Sequence, residues 1–380
     1  MPFLIPVLAL ATFAQGTSEF MLAGLLLPLS SELDVDPSTA ALLTSAFAIG
    51  MVVGAPSTAV FASRWRPRSA LVLLLLVFIA AHVVGAVASS FWLLLLTRVL
   101  AALANAGFLA IALATVRGIV APAQTTRAVA VLLGGTTLAT IVGVPAGAML
   151  ANGLGWRSTF WAVALLCVPA VVALMRDRTL GEVPSPPRLD LRAELAELRR
   201  RPVLVAVLLA VLVNAATFGV FTFLAVIGAD AGVAASWIPL LLAAFGVGAF
   251  LGVTATGRWA ARFDRSWVMV GAVATTAVWA VFALFADSVP AVFVGALLGG
   301  LLSFAVGSAL IARIVGQASG APVLGGAYAT AALNLGAFGG PAVAGIAYAQ
   351  SGSATVLLVA AIIMVAAVLL VPLLRGDDRP

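Results

Sequence analysis

The chain has 380 residues, of which 63% are hydrophobic and only 9% are charged, and its net charge is +6. This composition leaves too little polar surface to cover a soluble globule, so we predict an integral membrane protein. All 20 basic residues are arginine, which excludes a P-loop lysine for ATP and a lysine Schiff base. One cysteine and one histidine exclude internal disulfides and thiolate or imidazole metal clusters, and we expect no cofactor.

Apolar runs of roughly 18 residues or more recur along the whole chain, and each is long enough to cross the ~30 Å hydrocarbon core as a helix. The sequence lacks the alternating pattern typical of outer-membrane barrels. We therefore predict an all-α membrane protein with twelve spans, at residues 4–29, 38–62, 69–89, 91–116, 128–151, 158–175, 203–228, 236–257, 267–286, 289–312, 322–348 and 353–374.

The distribution of arginine among the loops predicts the orientation in the membrane. Arginines cluster in the connections after spans 2, 4, 6, 8 and 10 and at the C-terminal end, whereas the opposite loops carry mainly acids and a single arginine, Arg157. By the positive-inside rule, both termini are predicted to be cytoplasmic, in a cell membrane (plasma or inner). The one long polar interruption, residues 176–201, is interpreted as a cytoplasmic linker between halves 1–175 and 202–380, with a regulatory docking site as the alternative.

The two halves resemble each other in sequence. A shift of 198 residues places residues 45–64 over residues 243–262 and matches, among others, Gly50 with Gly248 and Gly54 with Gly252. The same shift pairs span 1 with span 7. This pattern predicts two parallel six-helix repeats, an architecture of secondary transporters in which the substrate binds near the membrane midplane between the repeats.

A bare carboxylate, Glu19, lies inside span 1. An ionised acid at the bilayer centre costs at least ~2.5 kcal/mol, so such residues usually mark an ion or substrate path. Helical spacing puts Gln15 and Glu19 on one face of span 1 and Arg98 and Asn105 on one face of span 4. We predict that Glu19 binds the coupling proton, with a structural ion pair as the alternative. Arg98 is expected to hold the Glu19 region or the substrate, the alternative being a packing cation that bonds backbone carbonyls.

Other polar side chains within the spans are candidates for lining the substrate path, and a helix–helix hydrogen bond is the alternative role for each of them. The full set is Gln15, Asn105, Thr137, Thr140, Asn214, Thr217, Ser303 and Asn334. The single histidine, His82 in span 3, is expected to be a neutral packing residue rather than a titrating one.

Span 5 contains Pro145 between Gly143 and Gly147, four residues apart. Proline removes a helical hydrogen bond and glycines allow close packing, so we predict a hinge or a tightly packed seam there. Span 11 contains Pro341 in a similar setting, LNLGAFGGPAVAG.

Several blocks spread over both halves resemble the drug:proton antiporter family of the major facilitator superfamily, and most of all its chloramphenicol exporters. They are TFAQGTSEFMLAGLLLPLS, LLTSAFAIGMVVGAP, RVLAALANAGFLAIAL, LLGGTTLATIVGVPAG with GWRSTFWAV, and GAYATAALNLGAFGGP. The resemblance implies that the block around Pro145 is the antiporter motif and that Arg98 is the arginine of the span 4 motif. The chain departs from the superfamily at Ser63, where an Asp is usual, and at the displaced Asp264, which puts the usual cytoplasmic latch in question.

We therefore expect a proton-coupled exporter of small drugs, chloramphenicol-like by the resemblance, that alternates access around a central cavity. Export of sugars or other small metabolites is the alternative. A channel would need a selectivity filter and an intramembrane enzyme would need a nucleophile and base, and the sequence contains neither pattern. The expected partners are the drug, protons and the lipid bilayer, with the protein acting as a monomer and binding no nucleic acid.

Overall fold

The computed structural model describes residues 3–62, 66–176, 194, 196–259, 265–318, 320 and 324–374. Every regular element in these ranges is a helix. Helices α1 to α8 are Leu4–Phe20, Leu22–Leu33, Pro37–Ala62, Pro67–Val87, Phe91–Ile119, Pro122–Leu138, Val144–Leu154 and Arg157–Arg176, with a π-helical segment at Ala139–Gly143. Helices α9 to α14 are Arg201–Asp230, Ile238–Trp259, Arg265–Leu284, Val289–Gln317, Leu324–Ser351 and Ser353–Leu370, with 3₁₀ turns at Ala235–Trp237 and Val371–Leu373.

Local sequence signals account for several helix ends. Helices α4, α6, α9 and α12 have proline in their first turn, where the missing N–H has no intrahelical partner to lose. Gly155 and Gly352, with φ of +80° and +77°, reverse the chain between α7 and α8 and between α13 and α14. Side chains rarely adopt such φ values, so glycine is favoured at both turns.

The predicted all-α membrane architecture is confirmed. Eleven spans of the described chain are long and apolar enough to cross a membrane, and the bent pair α1 and α2 makes twelve when it is counted as one span. The first span is not a straight helix, because the chain bends by 50° between α1 and α2. Arg98 donates to the Ser18 carbonyl at 2.7 Å, and a side chain that takes a carbonyl from the helical ladder is a known cause of such breaks.

Span 5 is also irregular, and the irregularity lies directly before Pro145. The π-helical segment Ala139–Gly143 ends where α7 begins, and the Val144 amide donates to the Ala139 carbonyl, five residues back. Since Pro145 has no N–H and its ring crowds the carbonyl four residues earlier, the wider π turn accommodates it.

The repeat predicted from the sequence is visible in the packing of glycines. A Cβ added to Gly50 would meet the Val99 carbonyl of α5, and one added to Gly248 would meet the Leu297 carbonyl of α12. Val99 and Leu297 are separated by the same 198 residues as the two glycines. Equivalent glycines therefore seat equivalent helices, α3 on α5 and α10 on α12, in the two repeats.

The described residues fall into two compact units. One contains those within Met1–Val35 and Ala46–Arg188, and the other contains those within Asp36–Ser45 and Leu189–Pro380. The proposed boundaries at 175 and 202 remain a prediction. Most of the connection, 177–193 and 195, lies outside the described residues, as do Ser63 and Asp264 of the predicted latch region.

The described end of that connection contacts the second unit, to which it belongs. Glu194 is buried, and its carbonyl accepts a hydrogen bond of 2.5 Å from the hydroxyl of Tyr328 near the start of α13. Glu197 pairs with Arg200 at 2.9 Å on the exposed side. This contact attaches the segment that precedes α9 to α13.

Candidate functional site

The carboxylate of Glu19 lies in the last turn of α1, next to the bend in span 1. Its neighbours from α5 are Arg98, through electrostatic interaction, and Asn105, as a side-chain hydrogen-bond partner. Arg98 and Glu19 do not form a direct ion pair, because the guanidinium of Arg98 donates to Ser18 instead. Glu19 remains partly exposed.

The guanidinium of Arg98 is buried and is held by groups other than a carboxylate. Its Nη2 donates to the Ser18 carbonyl at 2.7 Å and its Nη1 donates to Ser18 Oγ at 2.8 Å. Its Cζ lies 4.4 Å from the centre of the Phe47 ring on α3. The carbonyls in the last turn of a helix have no intrahelical amide and carry partial negative charge. Arg98 therefore caps the C-terminus of α1, one residue away from Glu19.

His82 on α4 completes the group formed by Glu19, Ser18, Phe47 and Arg98, which we call the Glu19 cluster. Its Nδ1 lies 2.8 Å from the Phe78 carbonyl and its Nε2 lies 2.7 Å from Ser18 Oγ. The Phe78 carbonyl can only accept, so Nδ1 carries a hydrogen. Ser18 Oγ already accepts from Arg98, so its single hydrogen is available to donate to Nε2. The arrangement thus assigns His82 as the neutral Nδ1–H tautomer.

The amide of Gln15 is the unusual polar group on the same helix. Gln15 is 1% exposed, and neither its Oε1 nor its Nε2 has a hydrogen-bond partner among the described residues. Burying an amide without partners costs free energy of the order of 1–3 kcal/mol. One turn along α1 from Glu19, Gln15 therefore has its full hydrogen-bonding capacity free for a ligand or water. Asn105 is also buried, and its Nδ2 lies 3.5 Å from the Met51 sulfur, a weak acceptor.

The threonines and asparagines proposed for the substrate path mostly use their side chains locally. Thr140 donates to the Thr137 carbonyl at 2.8 Å, and Thr137 itself is partly exposed. Thr217 donates to the Val213 carbonyl at 2.7 Å. These bonds within one helix satisfy each hydroxyl without a ligand.

The polar candidates of the second unit divide into two kinds. Asn214 donates to the Leu333 carbonyl of α13 at 2.5 Å, and Asn334 donates to the Thr330 carbonyl at 2.9 Å. Ser303 on α12 is 2% exposed, and its Oγ has no hydrogen-bond partner among the described residues. Of these three, Ser303 alone has a buried side-chain polar atom without a partner among the described residues.

The glycines and prolines proposed as a hinge lie at close helix contacts. A Cβ on Gly143 would overlap the Thr17 hydroxyl of α1, and the Gly147 carbonyl accepts a 2.9 Å hydrogen bond from Thr159 of α8. Pro145 lies between them and is buried. Pro341 lies inside α13, which continues through it.

Two residues of the Glu19 cluster were missed by the sequence analysis, Ser18 and Phe47. Ser18 follows no periodic polar pattern with Glu19, and Phe47 looks like any apolar span residue. A buried arginine needs hydrogen-bond acceptors, and that requirement was the only available signal that such partners exist. Among the described residues, no group of three His, Cys, Asp or Glu side chains could hold a metal ion.

Comparison with known proteins gives the family. The Major Facilitator Superfamily model matches residues 8–252 and 224–380. A chloramphenicol resistance protein of Streptomyces lividans is 49% identical over 350 residues, covering 90% of this chain and 88% of that protein. The inner membrane transport protein YdhP of Escherichia coli K12 is 32% identical over 370 residues, covering 96% and 95%.

A solved structure shows the same fold. It is that of a bacterial homologue of the human lysosomal transporter Spinster, captured inward-facing and unoccupied, with a TM-score of 0.73 at 18% identity over 98% of this chain and 94% of that chain. The helical architecture, the family model and the sequence relatives agree: this chain is a multi-pass membrane protein that belongs to the Major Facilitator Superfamily.

Proposed function

We propose that the chain exports small, uncharged drugs of the chloramphenicol type in exchange for protons, by alternating access, with Glu19 as the proton-binding group. The observation that carries the proposal is the state of Glu19. It is an acid within a span, it is partly exposed, and its arginine neighbour is bonded to Ser18 rather than to the carboxylate. A structural acid would be neutralised by a direct ion pair, whereas this one is free to gain and lose a proton.

Unpaired polar groups support a role in binding cargo. Gln15 offers both an amide donor and an acceptor, and Ser303 offers a hydroxyl, without partners among the described residues. A neutral drug that carries hydroxyl and amide groups supplies the complementary donors and acceptors. Chloramphenicol is a molecule of this kind, and the similar Streptomyces protein is a chloramphenicol resistance protein.

The membrane and orientation follow from the same proposal. By the positive-inside rule, the arginine-rich loops support a cytoplasmic location of both termini, and we infer that the membrane is the cell membrane. Export then moves the drug away from the side that carries the connection 176–201. We infer that the protein is a transporter rather than an enzyme and that it acts as a monomer. Transport of this kind needs no cofactor.

The test is uphill uptake of labelled chloramphenicol into inverted membrane vesicles with an acidic interior. The parent protein is expected to accumulate the drug and to lose it when an uncoupler is added. Glu19→Gln keeps the size of the side chain but cannot release a proton, so uphill accumulation should vanish. The matched control is Glu32→Gln, which alters an exposed acid paired with Arg157 and should leave accumulation intact.

Two results would count against the proposal. Uphill accumulation by Glu19→Gln equal to that of the parent would remove the proton role of Glu19. Accumulation of a labelled sugar, with none of chloramphenicol, would favour the alternative of metabolite export by the same fold.

A further inference from the structure

We propose that His82 is a positioning residue for proton coupling, which acts through the Ser18 hydroxyl to hold Arg98 at the end of α1 beside Glu19. The proposal rests on the proposed function. It assigns a task to the single histidine of the chain, which the sequence analysis expected only to pack.

The first step is the direction of the hydrogen bonds. Nδ1 of His82 donates to the Phe78 carbonyl at 2.8 Å, and Nε2 accepts from Ser18 Oγ at 2.7 Å. With its hydrogen turned towards His82, Ser18 Oγ presents its lone pairs to Arg98 Nη1 at 2.8 Å. Arg98 has no lone pair to accept a hydrogen bond, so the Ser18 hydrogen needs another acceptor, and His82 Nε2 provides it.

The second step is the rigidity of the imidazole. His82 is 1% exposed, its ring centre lies 4.2 Å from that of Phe78, and Phe160 packs on it at 5.7 Å. The ring is therefore fixed by the Phe78 carbonyl and by two aromatic side chains. A protonated His82 would place two cationic donors on one hydroxyl oxygen and leave the Ser18 hydrogen without its acceptor. The packing thus favours an acceptor role over proton carriage.

The third step is the consequence for Arg98. The guanidinium uses both ends of its fork on Ser18, one on the hydroxyl and one on the carbonyl that the bend in span 1 leaves free. Without an acceptor at position 82, the Ser18 hydroxyl can rotate. Its hydrogen can then point towards Arg98 Nη1, where a lone pair of Ser18 Oγ is needed. Arg98 then loses its fixed distance from Glu19, and the coupling of proton release to movement of span 1 weakens.

A direct test uses the fact that the chain contains one histidine. Protein labelled with ¹⁵N-histidine should give one imidazole, neutral and protonated at Nδ1, in its NMR spectrum at pH 7. Ser18→Ala should shift the Nε2 resonance and leave Nδ1 unchanged. An imidazolium or an Nε2–H tautomer in the parent protein would overturn the proposal. This measurement needs no cargo, so it stands or falls separately from the export of chloramphenicol.

The functional test compares two substitutions of His82. His82→Phe keeps an aromatic ring against Phe78 and Phe160 but has no acceptor, and we expect uphill accumulation to fall about tenfold because a charge-assisted bond on Arg98 loses its alignment. His82→Gln restores an amide acceptor that cannot titrate, and we expect it to stay within about twofold of the parent. Ser18→Ala should reduce uphill accumulation as much as His82→Phe does. A protein with both substitutions should accumulate no less drug than either single variant.

The affinity for chloramphenicol, measured by equilibrium binding, should be the same in all these variants because both ring nitrogens of His82 are engaged within the protein, by the Phe78 carbonyl and the Ser18 hydroxyl. A His82→Phe protein that accumulates the drug as the parent does would overturn the proposal. A His82→Gln protein as impaired as His82→Phe would also overturn the proposal, because restoring an acceptor at position 82 would then not restore transport. If Glu19→Gln also accumulates drug uphill, the proposed function fails while the NMR result remains informative.

Discussion

Replacing Arg98 with lysine should destabilise the protein, although the charge is kept. The guanidinium makes two charge-assisted bonds to Ser18, at 2.7 and 2.8 Å, and stacks over Phe47 at 4.4 Å. An ammonium group lacks the planar fork, so one of the two bonds is lost at a cost of about 1.5–3 kcal/mol. Weaker contact with the Phe47 ring adds up to about 1 kcal/mol. We therefore expect a loss of about 1.5–4 kcal/mol in the free energy of unfolding.

The chain provides its own reporter for this measurement. Cys167 is the only cysteine and is fully buried in α8, so a thiol-reactive fluorescent dye will label it only as the protein unfolds. In detergent, Arg98→Lys should lower the unfolding midpoint by about 2–5 °C, since the midpoint of a 380-residue chain shifts by only about 1 °C per kcal/mol. The matched control is Arg200→Lys. Arg200 is 54% exposed and pairs with Glu197 at 2.9 Å, and a solvent-exposed pair contributes no more than about 1 kcal/mol.

Equal shifts for the two lysine variants would refute the reasoning. That result would mean that the buried fork on Ser18 contributes no more than a surface ion pair, and that Arg98 does not cap α1. A large shift for Arg98→Lys with a small one for Arg200→Lys would support the assignment of Arg98 to the bend in span 1.

Three further predictions follow from the packing and from the proposed mechanism. Gly248→Ala should lower the unfolding midpoint because its Cβ meets the Leu297 carbonyl, whereas Gly307→Ala, with no atom within 4 Å of its Cβ, should leave the midpoint unchanged or raise it. Pro145→Ala should permit a regular helix in place of the π-helical segment, and should slow or uncouple vesicle uptake more than it lowers the midpoint. Exchange of one proton for one neutral drug moves one charge, so a membrane potential alone, at about 2.3 kcal/mol per 100 mV, should drive chloramphenicol transport in proteoliposomes. A response to a pH gradient but none to potential would contradict that stoichiometry.

The number and nature of the spans could be predicted because hydropathy is a property of each segment by itself. The bend in span 1 could not, since nothing between Phe20 and Leu22 resembles a helix breaker. It coincides with a bond from Arg98, 80 residues further along the chain, to the Ser18 carbonyl. A break in a helix that depends on a distant side chain leaves no local signal in the sequence.

The candidate site was predictable to a similar extent. An acid and an arginine inside spans stand out by their cost, so Glu19 and Arg98 were identified, and Arg98 was expected to hold the Glu19 region or the substrate. Their actual relation, with Arg98 bonded to Ser18 and not to Glu19, depends on side-chain geometry that residue spacing does not contain. The roles of Asn214 and Asn334 could not be predicted, because a polar residue in a span looks the same in sequence whether it faces cargo or a backbone carbonyl. Both side chains donate to backbone carbonyls.

The two repeats share their packing but differ in their chemistry. The offset of 198 residues that superposes Gly50 on Gly248 also assigns counterparts in the second repeat to Glu19 and to its two neighbours on α5. The counterparts of Glu19, Arg98 and Asn105 are Thr217, Ala296 and Ser303. Threonine, alanine and serine carry no charge and do not titrate near neutral pH. If protons are exchanged at these positions, as we propose, the exchange therefore involves the first repeat alone. From the second repeat, we expect the unpaired Ser303 hydroxyl to offer only a neutral hydrogen bond to the cargo. Because the second repeat has no acid at these positions, it needs no counter-ion there, which accounts for the alanine counterpart of Arg98. The acid and its neighbouring cation are thus retained or absent together, as expected if the function of Arg98 is tied to Glu19.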